Sequence, residues 1–264
     1  MNQFFLYLDS DTWLHRLDAR TKVVSLLGIF ALALIFSDPR YLVVPTILVV
    51  IAIVSAEALP NLRKMWLLLT LLFLYCLLLW PLFVTGRTPV INMGALTLTS
   101  EAVGYGFAMG LRLDVMLLGG ILLLSTTRIE EFTLALQRLG LPGPMAFALS
   151  LAFRWVPSLI GAAGLIVQAQ RARGLDLGAG HALARIRRYA PLIVPLIGHT
   201  LRHTRLLTMA LESKGFGPGA VRHGFLELRM RLADYATLAL MVALVGICLW
   251  LRLAGYGTVD VRFS

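Results

Sequence analysis

His199 and His203 stand one helical turn apart in the stretch HTLRH, a spacing that can bring two imidazoles to one metal ion. Thr200 occupies the place where a zinc-peptidase helix carries its glutamate, Arg202 lies beside the pair, and a pair alone lacks the further ligands a site requires. No metal site is expected there. Glu130 and Glu131 have acid–base chemistry, but Arg138 lies too far along to assist them, and Thr127 with Glu130 matches a capping box that accounts for the glutamate more simply. Arg112 and Asp114 interrupt an apolar segment, where each costs on the order of 2.5 to 3.5 kcal/mol at a helix centre. Being two apart they point to different sides of the helix, so each needs its own partner, inside the bundle or on another membrane subunit. Arg154 breaks a second apolar segment in the same way.

Two further stretches have one pattern in common. QRARGLD (170–176) and LESKGFG (211–217) each close an apolar segment with a small residue, a cation, glycine and an apolar residue: Ala172, Arg173, Gly174, Leu175 and Ser213, Lys214, Gly215, Phe216. Glycine past a helix end and a cation in its last turn are ordinary capping chemistry. Their repetition within one basic region is what capping leaves unexplained.

The elements that carry these residues follow from composition. Of 264 residues 58% are hydrophobic and 14% charged, with mean hydropathy +0.81, too apolar for an ordinary soluble domain. The chain is expected to be an all-α integral membrane protein. Apolar stretches near 23–36, 41–59, 65–84, 104–126 and 233–251 approach the roughly 20 residues a spanning helix needs. The start MNQFFLYLDSDTWLHR has aspartates and no cationic lead into an apolar region, so the first helix is expected to stay. Cys76 and Cys248 fall inside expected spans as small apolar side chains, and no disulfide is inferred. No GxxxxGK[ST] phosphate loop occurs, so an ATP-driven role requires a partner.

Cationic residues orient the chain. Arg16, Arg20 and Lys22 place the N-terminus in the cytoplasm, Arg63 and Lys64 mark the return after the second span, and the loops 37–40 and 85–101 fit the outer side. From Arg128 to Arg231 there are 14 Arg and Lys against 5 Asp and Glu, nine of the net charge of +10. The segment 145–167 is apolar enough to span, yet Arg138 before it and Arg171 and Arg173 after it ask for one side. It therefore reads as a long helix at the cytoplasmic surface, kinked near Pro157. Helices are expected over about 128–139, 145–173 and 191–214, with 175–190 as a loop whose Arg185, Arg187 and Arg188 meet lipid headgroups. A fifth span then carries the C-terminus out. The organisation is thus residues 1–126 as a four-span bundle, 127–231 as a cytoplasmic region, and 232–264 as a final span and tail. Gly106 and Gly110 form a GxxxG that allows close helix approach.

LHRLDARTK, STTRIEEFTLALQRLGLP, LAFRWVPSL, QAQRARGLD and LESKGFG, in this order from about Leu14 to Gly217, resemble the transmembrane T component (EcfT family) of energy-coupling factor (ECF) importers. The resemblance implies about five transmembrane helices plus three cytoplasmic coupling helices near the membrane surface. It also implies a subunit that carries no catalysis and no cofactor. Such a subunit joins two ABC-type ATPase subunits, identical or different, to a membrane-embedded substrate-binding S component that selects a vitamin or transition-metal ion. Neither nucleic acid nor a resident metal enters this reading. The family's docking motifs fall on Ala172, Arg173, Gly174 and on Ser213, Lys214, Gly215, the second departing from the usual Ala-Arg pattern. Two other readings stand beside it: the permease of an ordinary ABC importer, and an intramembrane enzyme built on His199, His203, Glu130 or Asp114.

Overall fold

The computed structural model describes residues 7–85, 89–93, 96–175, 182–216, 228–257 and 262–263. Among these the fold is helical: α1 (Ala19–Ile35), α2 (Pro39–Ser55), α3 (Leu59–Phe83), α4 (Ser100–Thr126), α5 (Ile129–Arg138), α6 (Gly143–Ala172), α7 (Ala182–Ser213) and α8 (Leu232–Leu253). Two short antiparallel ribbons join them, β1 (Val84–Thr85) with β4 (Arg262–Phe263) and β2 (Pro89–Met93) with β3 (Leu96–Thr99). The expected outer loop thus contains a hairpin, and the alternation Leu96, Thr97, Leu98, Thr99 is its period-two signal. The chain divides into two compact units, Met1–Gly140 with Leu228–Ser264, and Leu141–Glu227.

In the first unit, α3, α4 and α8 are long and apolar enough to cross a membrane and α2 is a shorter apolar helix; in the second unit α6, expected from the sequence to lie along the surface, is long and apolar enough to cross as well. Polar contacts gather at one end of this bundle. Lys22, near the start of α1, donates through Nζ to the carbonyls of Thr126 (2.7 Å) and His15 (3.1 Å). Asn61, at the start of α3, donates to Ser125 Oγ at 2.8 Å, and Leu8 N–H to the carbonyl of Ser125 at 3.1 Å. Asp234, in the first turn of α8, accepts from the backbone N–H groups of Asp18 (2.8 Å) and Arg231 (2.7 Å). The starts of α1, α3 and α8 and the end of α4 therefore share this end, so successive helices alternate in direction.

The opposite end closes by the same logic. The last carbonyls of a helix have no intrahelical partner. Arg112 of α4 supplies the missing donors for α1, through Nε to Ala33 O (3.0 Å) and through a terminal nitrogen to Phe36 O (2.6 Å). Charge-assisted bonds of this kind contribute about 1.5 to 3 kcal/mol each, comparable to the cost of placing arginine in the membrane. Between the ends, Ile29, Leu32, Ala33, Val49, Ile53, Val115, Leu118 and Met241 form the buried core. Helices α3 and α4 pack closely at Gly110 and Gly106: a Cβ at Gly110 would lie 2.7 Å from the Phe73 ring, and one at Gly106 would lie 3.2 Å from Cys76 O. Cys76 and Cys248 are free thiols, Cys76 buried.

Several boundaries differ from expectation. Helix α2 ends at Ser55, because Glu57 takes φ +56 and the turn closes with Ala58 N–H on Ile53 O. Arg128, not Thr127, caps α5; no side-chain capping bond forms, and Thr127 Oγ1 is buried with no partner among the described residues, so the capping box is absent. Helix α7 begins at Ala182 rather than 191. Ala182 to Ala190 consists of good helix formers, and the helix runs on through Pro191 and Pro195. Of the expected loop, residues 176–181 lie outside the described residues.

Candidate functional site

The second unit holds α6 and α7, and both end in the same turn. At the end of α6, Gly174 N–H donates to Arg171 O (2.9 Å) and Leu175 N–H to Gln170 O (3.0 Å), with Gly174 at φ +89. At the end of α7, Gly215 N–H donates to Glu212 O (2.9 Å) and Phe216 N–H to Leu211 O (2.9 Å), with Gly215 at φ +75. Both are Schellman closures, in which a six-to-one and a five-to-two bond satisfy the orphan carbonyls and glycine supplies the left-handed residue. Arg173 and Lys214 occupy the same cap position in the two motifs. Both cations are exposed, as are Ala172, Gly174, Ser213 and Gly215, and neither side chain has an ion-pair partner among the described residues. Ser213 turns its hydroxyl onto Ala210 O (3.0 Å), and the exposed charged groups of this turn are Glu212 and Lys214.

Three contacts set the direction of the pair. Phe147, near the start of α6, packs on Phe216 just past α7, with ring centroids 4.7 Å apart. Trp155 meets His203 edge to face at 5.5 Å, and Gln170 Nε2 donates to Pro191 O at 3.4 Å. Positions rising along α6 meet positions falling along α7, so the helices are antiparallel. The two basic tips consequently lie at opposite ends of the pair, separated by roughly 40 Å for the 26 residues between Phe147 and Arg173 at 1.5 Å each. The aromatic anchor was not singled out from the sequence. Its signal is the apolar residue after Gly215, which in such a turn packs back toward a helix.

The remaining sequence candidates separate. His199 and His203 are exposed, their ring centroids are 6.2 Å apart, and His203 is engaged with Trp155. Among the described residues no group of three or more His, Cys, Asp or Glu is placed to hold a metal. Arg154 is exposed on α6. Arg112 is bonded to α1, whereas Asp114 has a buried carboxyl oxygen, Oδ1, with no hydrogen-bond partner among the described residues. Asp234, buried and doubly bonded, was not anticipated at all; an acidic residue in the first turn of a helix was its only signal. In the first unit an apolar cavity of about 230 Å³ lies among Trp13, Leu26, Ile29, Ile51, Leu122 and Met241. Outside the bundle, Arg16 grips Asp11 through two bonds of 2.9 and 2.8 Å and holds its carboxyl below the usual range.

Residues 10–223 match the CbiQ family, described as a cobalt transport protein. The chain is similar to the energy-coupling factor transporter transmembrane protein EcfT of Listeria innocua, 30% identical over 93% of this chain and 96% of the relative. It is 32% identical to the EcfT protein of Heliobacterium modesticaldum over 92% and 95% of the two chains. It is also 32% identical, over 84% of its length, to 30% of a longer Bifidobacterium longum protein named for ABC-transporter ATP binding.

Proposed function

The chain belongs to the CbiQ/EcfT family of transport proteins, and from that membership we propose that it is the energy-coupling transmembrane subunit of an ECF-type ABC importer. It holds two ABC-type ATPase subunits at Arg173 and Lys214 and presents the apolar faces of α6 and α7 to a membrane-embedded S component that binds a vitamin or transition-metal ion. The chain is not itself an enzyme, and its partners hydrolyse ATP. The basic tips lie on the cytoplasmic side, with the N-terminus inside and the C-terminus outside, in keeping with the cations near the starts of α1 and α3.

The observation that carries this reading is the equivalence of the two tips. A cation at one cap position, small residues on either side and about 40 Å of rigid helix between the tips suit two separate partners that move together when ATP binds. The exposed small residues allow close approach of a groove, and the cation supplies a charge-assisted contact. Motion of the tips is then transmitted along α6 and α7, whose Ile160, Leu165, Ile193, Val194, Ile197 and Leu201 are exposed apolar side chains. The Bifidobacterium relative supports an ATPase connection, since a protein named for ATP binding contains a region like this chain.

Purification of the tagged chain from its native membrane tests the reading. Two ATPase subunits and a small membrane protein are expected to accompany it. Isolation with a soluble substrate-binding protein and no membrane binder would favour an ordinary importer permease instead.

A further inference from the structure

The cavity of the first unit is a trough that runs along three helices. Helix α1 lines it from Lys22 to Ile29, α2 from Ser55 to Leu48 and α4 from Thr126 to Gly119, and each stretch advances about 10 Å along its helix. Lys22, Ser55 and Thr126 share the polar end of the bundle, whereas Ile29, Leu48 and Gly119 lie deeper among apolar side chains. Trp13, Ile51 and Leu240 line the same cavity and are each more than half exposed, so it opens on the side of the bundle. Water finds few partners inside. Ser55, Thr126 and Thr237 turn their hydroxyls onto carbonyls of their own helices, those of Ile51, Leu122 and Ala233. An apolar cavity of about 150 Å³ already stays dry and admits a benzene-sized molecule; this one holds about 230 Å³.

We infer that the cavity seats one acyl chain of a membrane phospholipid, with the phosphate toward Lys22. Volume selects a single chain over a partner helix, because a helix is about 10 Å across and a 10 Å length of it needs on the order of 800 Å³. Charge selects the headgroup. Lys22 is the one charged residue on the cavity wall among the described residues, and no carboxylate among them comes within ion-pair distance of it; Asp18, Asp234 and Glu131 stand farther off. Its Nζ spends two of three N–H donors on Thr126 O and His15 O. Trp13, at the open margin, is a residue type that favours the headgroup level of a bilayer. The inference goes beyond the coupling role and holds whichever subunits join the chain.

The test reconstitutes the full chain in phosphatidylglycerol vesicles containing a trace of the same lipid with a photoreactive diazirine in one acyl chain, and maps the labelled residues by mass spectrometry. The cost of a void rises with its volume, and on that scale roughly a quarter of this cavity left empty corresponds to about a tenfold preference for occupancy. Peptides carrying Ile51 and Ala52 or Leu240 and Met241 should therefore be labelled roughly tenfold more than the peptide carrying Leu71 and Leu78, which are exposed on α3 away from the cavity. Ala52→Phe fills the cavity from α2 and should bring this labelling down to the α3 level. Ser25→Leu fills it from α1 and gives the same readout if phenylalanine prevents folding. Equal labelling of cavity and α3 in the unsubstituted chain overturns the inference, as does an enrichment that the filling variants leave unchanged. Loss of the enrichment when the co-purifying membrane subunit is present assigns the cavity to a side chain of that subunit, and this too overturns it. The same photoreactive chain on a diacylglycerol, which lacks the phosphate, should label the cavity less; equal labelling would overturn the contact with Lys22.

Discussion

Phe216 lies on Phe147 with 4.7 Å between ring centroids, and this contact fixes the turn of Lys214 beside the start of α6, the end of the helix pair opposite Arg173. Two cations in identical turns are thereby held apart by the length of α6. The arrangement makes the pair a strut with one basic tip at each end, and several consequences can be measured.

Gly174 and Gly215 hold φ of +89 and +75, and a Cβ at either would meet nothing within 4 Å. Alanine at these positions therefore strains the backbone without a clash, at a cost of about 1 to 2 kcal/mol. Gly174→Ala should fray the last turn of α6, seen as faster amide exchange at Gly174 and Leu175, and should weaken ATPase retention although Arg173 is intact. Unchanged exchange in that turn would contradict the assignment.

Asp234 joins α8 to α1 by accepting from Asp18 N–H and Arg231 N–H. Asp234→Ala leaves those donors without their partner and should lower stability by about 3 kcal/mol, whereas Asp234→Asn retains an acceptor and should cost less. Thermal unfolding in detergent, with both variants run beside the unsubstituted chain, reads the difference.

Gly110 and Gly120 lie on the same helix and predict opposite outcomes. A Cβ at Gly110 would lie 2.7 Å from Phe73, while one at Gly120 meets nothing within 4 Å. Gly110→Ala should destabilise by about 1 to 3 kcal/mol through overpacking, and Gly120→Ala should be neutral or stabilise by about 0.5 to 1 kcal/mol through helix propensity. The same unfolding assay ranks the two.

Much of this architecture was legible because bilayer length and charge act on long stretches. The long apolar helices α3, α4 and α8 are readable from hydropathy and the bundle's charged end from Lys22, Arg63 and Lys64, whereas α6, which the flanking arginines assign to the surface, is also long and apolar enough to cross a membrane. The twin turns were legible too, since glycine after a cation marks a Schellman end. Other features depend on partners distant in sequence. Asp234 reaches Asp18 across 216 residues, and nothing local marks the bond. Arg112 and Asp114 look alike in sequence, and only the carbonyls of α1 distinguish the satisfied residue from the unsatisfied one. Thr127 and Glu130 matched a capping pattern, yet the helix starts one residue later, at Ile129 after the Arg128 cap, so the pattern does not engage. The glycines and basic residues of 175–190 read as a loop, but the run of helix formers from Ala182 extends α7 upstream of Pro191.

The most direct measurement is ATPase recovery on the tagged chain carrying Arg173→Ala, Lys214→Ala, both together, or Lys214→Arg. Each single alanine should reduce recovery of one ATPase position, the double variant should abolish it with the membrane subunit still bound, and arginine at 214 should hold at least as well as lysine because its planar fork pairs carboxylates in two bonds. Full ATPase recovery and full uptake by the double alanine variant would contradict the account.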